Sequence, residues 1–167
     1  MRIFLNDYYG QNKLTPKTIL STPTLLLAFG FGAGLIKKAP GTFGTIAAIP
    51  VYLLFVQTPF AIYSALTIMV TLLGIKICEE ASILLGEDDF KGIVWDEIAG
   101  YLVALWFVPF SWTAVGLGFL LFRFFDIVKP FPIKWVDQHV KGGLGVMLDD
   151  VLAGLFAGFI LNIVMSL

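Results

Sequence analysis

Charge is scarce in this chain: Asp, Glu, Lys and Arg make up 14% of its 167 residues, where a soluble domain carries about a quarter. With 11 basic and 12 acidic residues and a formal net charge of −1, no basic stripe exists to neutralise a run of phosphates, which excludes a nucleic-acid surface. One cysteine, Cys78, excludes a disulfide framework within the chain, and at the end of an apolar run it reads as a buried, inert thiol. A thiol phosphatase would also need an Arg six residues further on, where Leu84 stands. One histidine, His139, leaves no partner for histidine-nucleophile chemistry and reads as a surface residue in a connecting loop. No Asp-x-Asp element is available to form a phospho-aspartate. The first twenty residues contain Asp7 and Pro16 ahead of the apolar run and match a cleavable signal peptide poorly.

What the chain does have is apolar surface. Hydrophobic residues make up 58% of it, including 16 Phe and 4 Trp, and the mean hydropathy is +0.89. A soluble core of this size would be overfilled, so the composition predicts an all-α, compact, polytopic membrane helix bundle. A spanning helix needs roughly 17–25 apolar residues, and the candidates are 42–57, 59–78, 93–109, 111–128 and 146–166. Residues 1–18 read as a cytoplasmic tail and 19–167 as one membrane-embedded domain.

The connections orient this bundle. Lys37 and Lys38 precede the first span, the connection from Lys76 to Lys91 is strongly polar, and Lys129, Lys134 and Lys141 follow the fourth. The opposite connections, "VQTPF" and "FVPFSW", carry no charge. The Lys/Arg rule makes the charged side cytoplasmic. The apolar stretch 19–36, with Pro23, Gly30, Gly32 and Gly34, lies between two basic segments that both favour that side. It is expected to be re-entrant or surface-lying, not a crossing.

Two segments echo one another. "VWDEIAGYLVAL" (94–105) and "MLDDVLAGLFAG" (147–158) each place two acids before an apolar helix rich in small residues. Small residues four apart let helices approach closely, and if these two pack side by side their acids meet. Asp96, Glu97, Asp126, Asp149 and Asp150 would then lie at one depth on one side, with Arg123 and Lys129 beside them. An isolated acid pair at a helix N-terminus is also explained by the macrodipole alone. Several carboxylates gathered at one point repel unless a cation joins them, and Mg²⁺ takes carboxylate, water and phosphate oxygens. Adjacent helical residues point about 100° apart, so one acid of each pair faces the ion. Asp96, Glu97, Asp149 and Asp150 are the candidate ligands, and Asp126 a further catalytic acid.

The candidate phosphate-binding residues are Arg123, Lys129, Lys37, Lys38, Lys141 and the "KKAPGTFGT" hydroxyls Thr42 and Thr45, because free amides at a helix N-terminus bind anions. The same charges fit a small ion or proton transporter, although transporter sites lie near the midplane between repeats. They also fit a non-catalytic scaffold.

Taken together, "PGTFGT", "GIVWDEIAG", "FRFFDIVKPFPIKW" and "GGLGVMLDDVLAG" resemble the phosphatidylglycerophosphatase A family, in order and spacing, from Phe29 to Ala157. The resemblance implies an all-helical, Mg²⁺-dependent lipid phosphatase of the bacterial inner membrane. Its substrate would be phosphatidylglycerophosphate, converted to phosphatidylglycerol by loss of the terminal phosphate. Metal-activated water is the expected nucleophile, and a covalent carboxyl intermediate on Asp149 or Asp150 is the alternative.

Overall fold

Proline opens three of the helices. Pro16, Pro23 and Pro40 each occupy the first turn of a helix, where the missing N–H has no intrahelical partner to lose. The computed structural model describes residues 15–87 and 90–166. Arg2 and Lys13 of the basic tail lie outside the described residues. In chain order the helices are α1 (Pro16–Ser21), α2 (Pro23–Ala28), a 3-10 segment (Gly30–Leu35), α3 (Pro40–Phe55), α4 (Phe60–Leu85), α5 (Trp95–Ala104), α6 (Trp112–Val128), α7 (Ile133–His139) and α8 (Gly142–Ser166). No strand occurs among the described residues, and the all-helical bundle is as expected.

Two of these helices, α4 and α8, are long and apolar enough to cross a membrane, and α3 is a shorter apolar helix. The exterior is apolar as well: Leu54, Leu72, Leu120 and Phe159 are each more than 60% exposed. Stretch 19–36 is not one helix. It breaks between α1 and α2, and again where Phe31 and Gly32 take positive φ.

The expected span 93–109 is shortened. Helix α5 stops at Ala104, giving ten residues and about 15 Å, half a hydrocarbon core. Residues 98–104 are all buried, enclosed by α3, α4, α6 and α8. A helix that ends inside the protein leaves terminal carbonyls without water. A side chain supplies a donor: Tyr63 Oη donates to the buried Leu102 carbonyl at 2.7 Å.

The start of α8 is held in a similar way. Glu79 Oε2, from α4, accepts from the Gly143 N–H at 2.5 Å, placing a carboxylate at the positive end of the helix dipole.

Candidate functional site

Close helix packing builds the site. An added Cβ on Gly154 would run into the Gly100 carbonyl, and one on Gly100 would come within 2.7 Å of the Asp150 carbonyl. Helices α5 and α8 therefore touch backbone to backbone. Asp96 and Asp150 lie one turn (four residues) before Gly100 and Gly154 and share the contact face, so close packing brings them together. One carboxylate oxygen from each of Asp96, Glu97 and Asp150 lies within 4.8 Å of the other two. Asp96 and Asp150 are 8% and 3% exposed.

Around this trio is a cleft of about 250 Å³. The last turns of α6 contribute Arg123 and Asp126, and the start of α3 contributes Ala39, Pro40 and Gly41. Arg123 Nη1 lies 2.5 Å from Asp126 Oδ2 and 3.7 Å from Glu97 Oε1. Gly41 is bare because a Cβ there would strike Glu97 Oε1 and the Arg123 guanidinium. The "PGTFGT" motif thus backs the acids with a close backbone, which a larger residue would push away.

Lys129 caps the C-terminus of α6 in the left-handed conformation, φ 45°. Its Nζ lies between Asp137 Oδ1 at 2.6 Å and Asp149 Oδ2 at 2.5 Å. Burial pulls this ammonium toward its neutral form. The bonds to Asp137 and Asp149 outweigh burial and raise its pKa above the ordinary lysine value.

Two carboxylate oxygens in the trio, Glu97 Oε2 and Asp150 Oδ2, are buried with no hydrogen-bond donor among the described residues. Leaving a charged group so buried is costly. Three hard oxygen donors within reach of one point suit an oxygen-preferring divalent cation such as Mg²⁺ or Mn²⁺. The residues present fit such an ion.

Not every candidate from the sequence is in the cleft. Asp149 lines it but turns about 100° from Asp150, toward Lys129, and stands outside the trio. Thr45 is buried, its hydroxyl donating to the Gly41 carbonyl at 2.9 Å within α3, and Thr42 does not line the cleft. Lys37 and Lys38 are exposed and outside it. Lys141 borders an adjacent pocket with Asp137 and Asp149. His139 is exposed, its ring stacked on Trp135.

The structure adds two residues not singled out from the sequence. Asp137 faces Lys129, and Lys91 lines the cleft from the turn before α5. Lys91 immediately precedes "GIVWDE", and that position was its only sequence signal.

Fold and site define an apolar helical protein with a buried carboxylate cluster suited to a divalent cation and cations placed to meet an anion. The sequence model of the phosphatidylglycerophosphatase A family matches residues 26–165, and the chain belongs to that family. It is 41% identical over 143 residues to phosphatidylglycerophosphatase A of Escherichia coli, covering 85% of this chain and 83% of that protein. It is 42% identical over 149 residues to phosphatidylglycerophosphatase A of Haemophilus influenzae, covering 88% and 91%. A Bacteroides thetaiotaomicron protein provisionally named a phosphatidylinositol-3-phosphatase is 38% identical over 142 residues, covering 80% and 87%. No solved structure matches the chain.

Proposed function

We propose that this protein is a divalent-cation-dependent lipid phosphatase that hydrolyses the terminal phosphomonoester of phosphatidylglycerophosphate, giving phosphatidylglycerol and phosphate. One observation carries the reading. Three carboxylates, two buried and Glu97 nearly so, lie within 4.8 Å of one another and share a cleft with Arg123 and Lys129. The names of the E. coli and H. influenzae relatives support the substrate.

Asp96, Glu97 and Asp150 would hold the cation, and Mg²⁺ is the proposed ion. When bound, it polarises the phosphoryl group and lowers the pKa of a bound water. The chain's own groups do the rest. Arg123 and Lys129 face the phosphoryl oxygens and offset the charge that builds on them in the transition state. Asp126, fixed by Arg123, is the cleft carboxylate outside the trio and outside the grip of Lys129, and it is positioned to take the proton of the attacking water. Asp149 and Asp137 hold Lys129 in place and charged. The bond that breaks joins the terminal phosphorus to the glycerol oxygen.

In this reading α3, α4, α6 and α8 cross the bacterial inner membrane. Segment 19–36 lies at or re-enters one face, and α5 is a half-length helix surrounded by protein. Lys37, Lys38, Lys76, Lys91, Lys129, Lys134 and Lys141 all fall on the acid-bearing side, which supports placing the cleft at the cytoplasmic interface. A lipid headgroup then reaches the cleft while its acyl chains stay in the bilayer.

The test is phosphate release from phosphatidylglycerophosphate in detergent, with and without Mg²⁺, for wild type and Asp150→Asn. Phosphatidylinositol 3-phosphate serves as the competing substrate. Metal-dependent release that is lost in the variant and favours phosphatidylglycerophosphate is the expected result. Release unaffected by chelation, or a preference for the inositol lipid, would overturn the corresponding part of the reading.

A further inference from the structure

Among the described residues three cations line the cleft, and two of them are already occupied. Arg123 faces Asp126 and Glu97, and Lys129 is held between Asp137 and Asp149. Lys91 differs: it is exposed and makes no ion pair among the described residues. It is the cleft cation that can take up a new anion without displacing a carboxylate of the described structure.

Its backbone is firmly placed. The Ile93 N–H donates to the Phe90 carbonyl at 2.8 Å, and the Val94 N–H donates to the Ala28 carbonyl at 2.8 Å. Between them Gly92 is buried beneath the Phe29 ring, where a Cβ would sit 2.5 Å from a ring carbon, and Gly34 packs against the Gly92 carbonyl. The broken 19–36 segment thereby fixes where Lys91 emerges, while its four-carbon stem leaves the ammonium free to follow a ligand.

We propose that Lys91 is a specificity-determining residue that binds the bridging phosphodiester of the lipid whose terminal phosphomonoester occupies the cleft interior. The inference rests on the phosphatase reading above. Phosphatidylglycerophosphate carries two phosphates separated by a three-carbon glycerol. With the monoester against Arg123 and Lys129, the diester lies outward, toward the acyl chains and the mouth of the cleft. An ammonium with no ion pair among the described residues, placed there, selects lipids that carry the second phosphate over those that do not.

Phosphatidic acid is the discriminating probe, because it has the phosphomonoester and lacks the bridging diester. The full-length protein in neutral-detergent micelles is assayed on both lipids as wild type, Lys91→Ala and Lys91→Arg. Where phosphatidic acid turns over too slowly, its inhibition constant against phosphatidylglycerophosphate hydrolysis replaces kcat/KM. The ratio of kcat/KM values, diester lipid over phosphatidic acid, should fall about tenfold in Lys91→Ala, the loss expected of one charge-assisted hydrogen bond. The change should come through KM, and Arg should recover most of it. Equal losses on both lipids would mean a general attraction for anionic lipid and would overturn the proposal, as would an unchanged ratio. A wild type that releases no phosphate from either lipid would instead defeat the underlying phosphatase reading.

Discussion

Gly100 and Gly154 face each other across the α5–α8 contact so closely that neither position has room for a Cβ. Gly154→Ala sets two effects against each other. Alanine gains about 1 kcal/mol of helix propensity over glycine. The added methyl meets a backbone carbonyl, which cannot rotate away, and overpacking costs about 1–3 kcal/mol. A net loss is expected, seen as a lower Tm in detergent. Gly116 on α6 has nothing within 4 Å of its would-be Cβ. Gly116→Ala should therefore hold or raise Tm, and a Gly154→Ala that does the same would refute the close contact.

The two acids of "LDD" should separate by role. Asp150 belongs to the trio, and Asp149 bonds Lys129. Asp150→Asn should abolish Mn²⁺ binding, followed by the paramagnetic signal of the ion. Asp149→Asn should leave that binding within a few-fold of wild type and lower kcat by about 10²-fold, the scale of losing an electrostatic contact in an active site. Equal loss of Mn²⁺ binding in both variants would return Asp149 to the ligand set.

Removing the ion should soften the protein as well as silence it. A cation present at about 100 times its dissociation constant, binding only the folded state, adds about 2.7 kcal/mol. Chelation should lower Tm by the corresponding amount in wild type and leave Tm unmoved in Asp150→Asn. A wild-type Tm indifferent to chelator would remove the cation from the site.

Glu79 offers a test remote from the chemistry. Its carboxylate caps the start of α8 through the Gly143 N–H. Glu79→Ala should cost about 1 kcal/mol, as capping losses do, and lower Tm with kcat/KM unchanged. A loss of activity at constant Tm would show that the cap does more than hold the helix.

Much of this was legible in the sequence because apolar runs and acid-bearing motifs are direct signals. The echo between 94–105 and 147–158 anticipated that α5 and α8 would pack with their acids adjacent, and the glycine contacts show how. Hydropathy misled at α5: residues 105–108 are apolar, so the run continued on paper, while Pro109 disfavours helix in the residue before it. That proline was the available signal. The hydroxyl of Thr45 bonds back along its own helix, a habit of mid-helix Thr that competes with ligand binding. Asp137 was not legible, because its partner Lys129 lies in another element, and Lys91 was marked only by its place just before "GIVWDE".

The lining of the cleft carries a final consequence. Among the described residues, five carboxylates (Asp96, Glu97, Asp126, Asp149 and Asp150) face three cations (Lys91, Arg123 and Lys129). With every group ionised, that leaves a deficit of two positive charges, the amount one divalent ion supplies. In that fully ionised state an empty pocket would repel a phosphate dianion, and one holding a divalent cation would be neutral toward it. On the proposed reading, the ion would then be expected to enter before the lipid.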